Sequence, residues 1–360
     1  MVVEGASRTP IDAGPAVDAG ARFVYLPGMP AHETAVTIGN FDGVHLGHVA
    51  LVQRARELAG PGGRVVVLSF DPHPLAILKP EKAPALLTTF EKRAALLKEA
   101  GADEVYRLEP DAQLLGLDAT QFMRHVVDSF GPRHIVEGGD FRFGRGRGGD
   151  VDALRSIGAR LGFDVDVVGE VEAPLADQSL VRASSTMVRW LLERGRVGDA
   201  HHLLARPYEV GGTVTPGDRR GRTVGFPTAN IEPETMLPAD GVYAGLATLP
   251  DGRPVPAAIN IGTRPTVDGF DRRLEAHLLG LPSSWSPERG PEQAAADAWM
   301  PIGTFGEYGW RCELSFRAWL RDQVRFASLG ALVDQLGRDC ARALVFAESD
   351  PLLTTAGSQS

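Results

Sequence analysis

The sequence predicts two domains, an open parallel α/β sheet followed by a smaller antiparallel β-domain with a C-terminal helix. From residue 34 to about 170, short apolar runs alternate with amphipathic stretches, as a parallel α/β sheet requires. After Pro207 the pattern changes to six short strand-like pieces with frequent Gly and Pro, which is typical of a barrel or a sandwich. A chain of 360 residues with 43% hydrophobic residues is long enough for both.

In the first domain, strands TAVTIGNF (34–41) and RVVVLSF (64–70) flank a helix that ends at Gly60. A second helix is expected over about 88–100, because Thr88 and Glu91 have the spacing of a capping box and Gly101 follows. Further helices are expected near 118–130 and 150–162, between the strand-like runs DEVYRL, RHIVEGGDF and DVDVVGEV. Residues 184–206 read as two short helices, the first capped by a serine or threonine.

In the second domain, Asp251-Gly252 between two strand-like pieces indicates a hairpin, and a helix near 328–347 closes the domain. Residues 281–304 fit neither pattern and are expected to be an exposed insertion. The expected organisation is therefore a flexible leader at 1–22, a first domain at 23–206, a second at 207–350 and a flexible tail at 351–360.

The composition argues against several classes of protein. With 37 basic against 46 acidic residues the net charge is −9, which disfavours a general nucleic-acid or membrane binder. The two cysteines, Cys312 and Cys340, have no metal-ligand or redox spacing, and no apolar run approaches the length of a membrane span. We expect a cytoplasmic protein, a monomer or weak homo-oligomer, whose partners are small molecules.

Lysine is confined to four positions, Lys79, Lys82, Lys92 and Lys98. No P-loop of the GxxxxGK[ST] type can therefore occur after residue 98. Nucleotide chemistry in that part of the chain must use arginine, backbone amides, helix termini or metal.

The stretch TIGNFDGVHLGH (37–48) is the first candidate site. It places His45 and His48 after a strand, at the entrance of a helix expected to begin at about Gly47. A helix N-terminus attracts anions, and ligands of α/β sheets bind at the carboxyl ends of strands. Neutral imidazoles that gain charge as negative charge grows would suit a phosphoryl transition state. A structural loop is the competing interpretation, and zinc lacks a third ligand nearby.

A second segment, SSTMVR (184–189), supports phosphate binding. Ser184, Ser185 and Thr186 can cap a helix whose amides bind phosphate, and Arg189 lies about one turn further on. Alone, the segment would be interpreted as an ordinary helix cap with a solvated arginine.

The segment GDRRGRTVGFPTANI (217–231) is the candidate site of the second domain. Gly217 permits a tight loop, and Arg222, with Arg219 and Arg220, supplies positive charge. Thr228 and Asn230, two apart on a strand, present oxygens suited to Mg²⁺. Glu275, on another apolar strand, is either a salt-bridge partner of Arg272 or Arg273, or a general base.

These motifs together resemble the bacterial bifunctional riboflavin kinase/FAD synthetase (FMN adenylyltransferase) family. TIGNFDGVHLGH, SFDPHP (69–74), EGGDFRFG (137–144) and SSTMVR look like its nucleotidyltransferase module, and GFPTANI, GVYAG, INIGTRPT and LEAHLL look like its kinase module, in order. The resemblance implies a Rossmann-like nucleotidyltransferase domain followed by a six-stranded antiparallel β-barrel. The 281–304 insertion and Gly280, where Asp is common, depart from the family pattern.

The resemblance also implies roles for individual residues. His45, His48 and Arg189 would be catalytic in the first domain, and Glu275 would activate the riboflavin 5′-hydroxyl in the second. The ATP- and phosphate-binding residues would be Gly39, Asn40, Ser184, Ser185, Thr186, Gly217 and Arg222. The flavin would lie near Phe70, Asp140, Phe141 and Phe143, and Thr228 and Asn230 would hold Mg²⁺.

The expected function is therefore two-step: ATP phosphorylates riboflavin to FMN in the second domain, and FMN is adenylylated to FAD in the first. A chain with only the kinase active would have lost HxGH or SSTxxR, and a flavin sensor without turnover would have lost Glu275 or His48. All of these are present. An RNA-binding interpretation of GRGRGG (144–149) is disfavoured by the acidic chain.

Overall fold

The computed structural model describes residues 33–217, 220–266, 269–279 and 305–348, without the side chains of 220, 222, 264–266 and 269–271. The predicted leader (1–22), insertion (281–304) and tail (351–360) lie outside the described residues, as does Gly280.

The first domain is built on a five-stranded parallel sheet of order β3-β2-β1-β4-β5. Its central strands are almost fully buried on both faces, which explains their uninterrupted apolar runs. The strands are β1 (Thr34–Gly39), β2 (Arg64–Phe70), β3 (Glu104–Leu108), β4 (His134–Gly138) and β5 (Asp164–Val168).

Six helices surround the sheet. They are α1 (Leu46–Ala59), α2 (Pro74–Leu78), α3 (Phe90–Glu99), α4 (Ala112–Gly116), α5 (Ala119–Phe130) and α6 (Val151–Leu161). The predicted helices near 118–130 and 150–162 are confirmed by α5 and α6. Asp118 and Gln121 form a capping box on α5, and Asp150 caps α6.

The cap predicted for the helix at 88–100 is wrong by one residue. Thr89, not Thr88, caps α3, accepting a hydrogen bond from the Lys92 backbone N–H at 3.3 Å. The Thr88 hydroxyl is used elsewhere, since it donates to Asp42 and accepts from the Gly43 N–H, both at 3.1 Å. A tertiary contact therefore overrides the local capping pattern.

A short hairpin and two helices connect the domains. The hairpin is formed by β6 (Glu172–Pro174) and β7 (Leu180–Arg182), and the helices are α7 (Ser185–Leu192) and α8 (Val197–Leu204). Apolar side chains of both helices belong to the same hydrophobic cluster as the barrel interior. Lys92 of α3 also forms ion pairs with Glu209 (2.6 Å) and Glu313 (3.0 Å) of the barrel.

The second domain is a closed barrel of order β10-β11-β12-β9-β8-β13, which confirms the six predicted strands. The strands are β8 (Tyr208–Thr215), β9 (Ala229–Pro233), β10 (Gly241–Thr248), β11 (Pro254–Thr266), β12 (Gly269–Leu278) and β13 (Arg311–Arg321). The predicted hairpin joins β10 to β11, with Gly252 at φ 83°. Helix α9 (Leu329–Glu348) packs on the outer face, against Val242 and Ala244.

Among the described residues, none of the helices combines the length and apolarity that crossing a bilayer requires.

Candidate active sites

The strand order of the first domain reverses between β1 and β4. Strands β2 and β3 extend the sheet on one side of β1, while β4 and β5 extend it on the other. Such a reversal opens a crevice at the carboxyl ends of the two strands, where α/β proteins bind ligands. The segment that carries His45 and His48 follows β1, and the EGGDFRFG segment follows β4, so this crevice brings both motifs together.

Helix α1 presents an open N-terminus to the crevice. It begins at Leu46, one residue before the predicted start, and its N-cap residue His45 makes no side-chain capping hydrogen bond. Its first turn carries no acidic residue. The His48 N–H of this turn donates to the His45 carbonyl oxygen at 2.8 Å, so the helix dipole and the amides before His48 are what the turn offers to an anion.

The two histidines lie together at this helix end. Their rings stack with centroids 3.6 Å apart and planes 24° apart. A Cβ added to Gly47 would lie 3.1 Å from the His45 ring and 3.3 Å from the Ala183 carbonyl oxygen, so a larger residue would crowd both. The predicted pairing of the histidines is thus observed, and Gly47 makes it possible.

Two residues of the preceding loop adopt an uncommon backbone conformation. Phe41 and Val44 have φ of 51° and 42°, in the left-handed region that a β-branched residue such as Val rarely adopts. Both side chains are buried and anchor the loop in the core beside β1. Strain of this kind persists where packing over-determines the backbone, often at functional sites.

Three buried polar atoms at the crevice have no hydrogen-bond partner: Asn40 Oδ1, His45 Nδ1 and His48 Nδ1. An unpaired buried polar atom costs about 1–3 kcal/mol. The segment 37–48 also contains the unpaired Thr37 Oγ1, which lies within β1. The three atoms that follow the strand lie near the start of a helix, where a polar ligand would complete their hydrogen bonds.

Both imidazoles are neutral near pH 7. Burial lowers the pKa of His45 to about 3, and Arg182, Arg206 and Arg189 contribute further to the shift. Burial, followed by His45, Arg93 and Arg206, lowers the pKa of His48 well below its usual range. The nearby arginines disfavour protonation of the histidines, and the positive potential that they create favours binding of a phosphate chain.

Asp42 joins the two predicted phosphate motifs. Its carboxylate, 5% exposed, accepts hydrogen bonds from the backbone N–H groups of Leu87 and Thr88 at about 3.0 Å and pairs with Arg189. Its carbonyl oxygen accepts from the Ser185 hydroxyl at 2.7 Å. Arg189 is therefore placed beside the histidines, but its guanidinium is engaged by Asp42 and the Ala85 carbonyl oxygen (2.7 Å).

The other residues predicted in SSTMVR occupy the start of α7. Ser184 caps the helix by accepting from the Met187 N–H at 3.2 Å, as predicted, and Thr186 is exposed. Gly39 and Asn40 lie where β1 ends. Their roles toward ATP stay predictions.

Sequence reasoning missed two arginines that shape this site. Arg206 donates to the carbonyl oxygens of Gly43 (2.6 Å) and Val44 (2.9 Å) and so holds the loop before His45. Arg93, 2% exposed, donates to the Phe70 carbonyl oxygen at 2.9 Å. Neither lies near the HxGH segment in the chain, and only the position of Arg206 before Pro207 could have drawn attention to it.

The residues predicted to bind flavin lie at the ends of β2 and β4. Phe141 and Phe143 stack with ring centroids 5.2 Å apart, and Phe143 is buried in the core. Phe70 is half-buried where β2 ends. Asp140 forms an ion pair with Arg182 at 2.6 Å. Their contact with a flavin stays a prediction, and the burial of Phe143 shows that it also stabilises the fold.

In the barrel, two predicted site residues and one neighbouring polar residue lie in one row across the sheet. Asn230 on β9, Glu275 on β12 and Asn260 on β11 occupy directly paired positions on adjacent strands. The next residues, Ile231, Leu274 and Ile261, point into the barrel core, so the polar row lies on the outer face.

Hydrogen bonds hold this row. Asn260 Nδ2 donates to Glu275 Oε2 at 3.3 Å, and Gln323 donates to Asn260 Oδ1 and to the Ile261 carbonyl oxygen, the latter at 3.0 Å. Arg272, one of the two salt-bridge partners considered for Glu275, pairs with Asp240 at 2.9 Å. A half-buried carboxylate positioned by an amide is compatible with general-base chemistry.

The predicted phosphate and metal residues surround this row. A Cβ added to Gly217 would lie 2.0 Å from Asn230 Nδ2, so a larger residue here would displace the Asn230 side chain. Thr228 precedes β9 and is half-buried. The side chain of Arg222 and all of Arg219 lie outside the described residues.

The donor set at this position fits a hard cation. Asn230 pairs with Glu275 across the sheet, and Thr228 precedes Asn230 by two residues. Both offer neutral oxygens, the oxygen chemistry that Mg²⁺ accepts together with water and phosphate. Within the described ranges, no group of three or more His, Cys, Asp or Glu side chains could hold a metal ion. A metal here would therefore depend on substrate phosphates for most of its negative ligands.

Comparison with known proteins shows the same two-part organisation. The FAD synthetase family model matches residues 29–182, and the riboflavin kinase family model matches residues 204–347. Over 317 residues the chain is 36% identical to the bifunctional riboflavin kinase/FMN adenylyltransferase of Escherichia coli strain K12, covering 87% of this chain and 93% of that protein. The chain belongs to this bifunctional family.

Other similarities agree with that assignment. The Pseudomonas fluorescens protein of the same description is 37% identical over 323 residues, which cover 88% of this chain and 94% of the relative. A crystal structure described as a macrolide-efflux protein from Streptococcus pneumoniae superposes with a TM-score of 0.72 at 28% identity, over 86% of this chain and 93% of that one. The resemblance inferred from the motifs is thus confirmed for both halves of this family member.

Proposed function

We propose that this riboflavin kinase/FMN adenylyltransferase family member carries out two consecutive reactions. In the barrel, ATP phosphorylates riboflavin to give FMN and ADP. In the α/β domain, ATP adenylylates FMN to give FAD and pyrophosphate. Family models of both kinds on one chain support this function.

The observation that carries the adenylylation is the group of unpaired buried atoms, Asn40 Oδ1, His45 Nδ1 and His48 Nδ1, at the uncapped start of α1. We place the ATP phosphates here. An oxygen of the FMN phosphate attacks the α-phosphorus, and the bond from that phosphorus to the bridging oxygen breaks, so that pyrophosphate leaves. The histidines and helix amides stabilise the charge that develops.

A direct, in-line attack is favoured over a covalent enzyme intermediate. The histidines are buried and stacked on one another, and no serine or cysteine nucleophile with an adjacent base is apparent in the described part of the crevice. The contribution of the chain is to hold the two phosphates in line and to exclude water.

For the kinase reaction we assign Glu275 as the general base toward the riboflavin 5′-hydroxyl. Two observations support this role: the Glu275 carboxylate accepts a hydrogen bond from Asn260, and Glu275 pairs with Asn230 on the neighbouring strand. Thr228 and Asn230 would hold Mg²⁺, which neutralises charge on the β- and γ-phosphates when bound. Gly217 and Arg222 lie in the loop that would bind the phosphates of this second ATP.

The test is to incubate the purified full chain with riboflavin, ATP and Mg²⁺ and to resolve the flavins by chromatography over time. We expect FMN to appear first and FAD to follow, and FAD to form directly when FMN is supplied. Accumulation of FMN without FAD would contradict the adenylylation, and no FMN from riboflavin would contradict the kinase reaction.

A further inference from the structure

Glu137 is a buried carboxyl group between the two strands that form the crevice. Its side chain, at the end of β4, is 2% exposed, and Oε1 accepts a hydrogen bond from the Ile38 backbone N–H of β1 at 2.7 Å. The proposed reactions assign it no role. It nevertheless lies three residues before Asp140, and its partner lies two residues before Asn40.

The two strands separate at this point. Strand β1 pairs with β2 along its whole length, from Thr34 to Gly39, but its register with β4 contains only Ala35↔His134 and Val36↔Ile135. Two residues further along β1, the Ile38 N–H donates to the Glu137 carboxyl group instead of to a backbone carbonyl oxygen of β4. A side chain therefore replaces the sheet ladder where the crevice begins.

The carboxyl group is suited to this place in its protonated form. Burial, reinforced by the nearby charge of Asp140, raises the pKa of Glu137 well above its usual range, although the Ile38 N–H opposes the shift. A neutral carboxyl accepts the amide hydrogen bond without burying a charge. An apolar side chain here would leave the buried Ile38 N–H unpaired.

We infer that Glu137 is a positioning residue for the adenylylation: by binding the Ile38 N–H, it fixes the separation of β1 and β4 and thereby places Asn40, His45 and His48 around the phosphates. The inference rests on the proposed adenylylation of FMN. It concerns a residue outside the HxGH and SSTxxR segments, acting through the backbone of β1.

Two substitutions distinguish this role from others. Glu137→Gln keeps a neutral acceptor of the same length, and Glu137→Val removes it. Thr37→Val on β1 is the matched control, since the Thr37 hydroxyl is buried without a partner. Circular dichroism and the denaturant unfolding transition report whether each variant is folded, and riboflavin phosphorylation by the barrel reports whether the second module is affected.

We expect Glu137→Val to lower kcat for FAD synthesis by about tenfold to a hundredfold, the effect of displacing catalytic groups by a fraction of an ångström or more, with the KM for FMN changed less. Glu137→Gln should restore kcat to within about threefold of wild type, a factor close to a single weak hydrogen bond. Hydrogen exchange should show Ile38 amide protection in wild type and Glu137→Gln, and its loss in Glu137→Val. Thr37→Val should leave both activities intact.

Three results would overturn the inference: full FAD synthesis by Glu137→Val, equal loss in Glu137→Gln and Glu137→Val, or an equal loss of both activities in a folded Glu137→Val protein. If the wild-type chain itself made no FAD from FMN, the proposed adenylylation would be wrong. The wild-type assay therefore distinguishes failure of the adenylylation from failure of the role assigned to Glu137.

Discussion

The two candidate sites differ in how they would bind ATP without a P-loop lysine. The α/β domain uses the interior of a crevice, where buried imidazoles and the amides of α1 converge. The barrel uses the outer face of its sheet, where Asn230, Glu275 and Asn260 form a row across three strands. As proposed, the first site would bind an anion through desolvated neutral groups, whereas the second would combine the Glu275 carboxylate with oxygen donors for a cation.

This difference makes the two sites separable by mutation. In the proposed mechanism the crevice uses groups whose charge is suppressed by burial, so its variants should change the placement of phosphates. The barrel is proposed to use Glu275 as a base, so its variants should change proton transfer. Each module serves as the internal control for the other.

The largest effect is expected for Glu275→Gln, which keeps the shape and the hydrogen bond from Asn260 but removes the base. FMN formation should fall by about 10²–10⁴-fold, the usual contribution of a general base. FAD synthesis from supplied FMN should persist. Rates of both steps, measured with riboflavin or with FMN as the starting flavin, provide the test.

Glu232→Gln is the matched control, since Glu232 is an exposed carboxylate on β9 of the same barrel. It should leave FMN formation unchanged. An equal loss of both activities in folded Glu275→Gln protein would show that the two modules are not independent as assigned.

His48→Ala should have the reverse effect. Removing an imidazole that stabilises transition-state charge costs about 10²–10³-fold in kcat, by analogy with other oxyanion donors. FAD synthesis should fall by that factor while riboflavin phosphorylation continues. His125→Ala, at an exposed histidine of α5, is the control and should retain both activities. Unchanged FAD synthesis in His48→Ala would refute the role of the stacked pair.

Asp42→Asn tests whether FAD synthesis needs the contacts by which Asp42 joins the two predicted phosphate motifs. The change leaves Arg189 and Arg93, both largely buried, with less negative charge nearby. Breaking a buried ion pair by removing one partner costs about 3 kcal/mol. We expect a loss of unfolding free energy of that order in denaturant titration, and an about tenfold loss of FAD synthesis, because Arg189 is no longer held beside the histidines.

The control for that change is Asp152→Asn, since Asp152 pairs with Arg155 on the exposed face of α6. Surface pairs of this kind contribute about 0–1 kcal/mol. If Asp42→Asn were as harmless as Asp152→Asn, Asp42 would not organise the site.

The comparison also explains what the sequence could predict. The crevice motif is local: a strand, a loop and a helix start within residues 34–48 place His45 and His48 together, so spacing sufficed. The strands of the barrel were recognisable from alternation and Gly/Pro punctuation. Their closed order was not, because the pairings of β12 with β9 and of β13 with β8 and β10 join strands that are distant in the chain, and no local pattern encodes them.

Contacts that join distant segments were likewise missed. Asp42 accepts hydrogen bonds from Leu87 and Thr88 and pairs with Arg189. Because the Thr88 hydroxyl is used in this contact, Thr89 caps α3 instead. Glu137 was visible in EGGDFRFG, but its bond to Ile38 depends on the neighbouring position of β1 and β4. Tertiary contacts of this kind decide which polar residue of a motif is structural and which remains available to a ligand.

The smallest effect, and the one that compares both sites directly, is the pH dependence of stability. Burial lowers the pKa of His45 to about 3 and that of His277, in the barrel, to about 4. An unfolded histidine titrates near 6.5, so as the pH falls below that value the unfolded state binds a proton that the native state does not. The stability that each neutral, buried histidine contributes is therefore fully present above pH 6.5 and is lost progressively as the pH falls below that value.

Between pH 7 and pH 5 each of these histidines should remove about 2 kcal/mol from the free energy of unfolding. His45→Gln and His277→Gln should each reduce the loss of unfolding free energy between pH 7 and pH 5 by about 2 kcal/mol. Denaturant titrations at the two pH values would measure this reduction. Should His45→Gln retain the full wild-type loss, His45 would titrate in the native protein as it does in the unfolded chain. Burial would then not hold its imidazole neutral, and the desolvated imidazole pair proposed for this crevice would have to be abandoned while the barrel assignment stood.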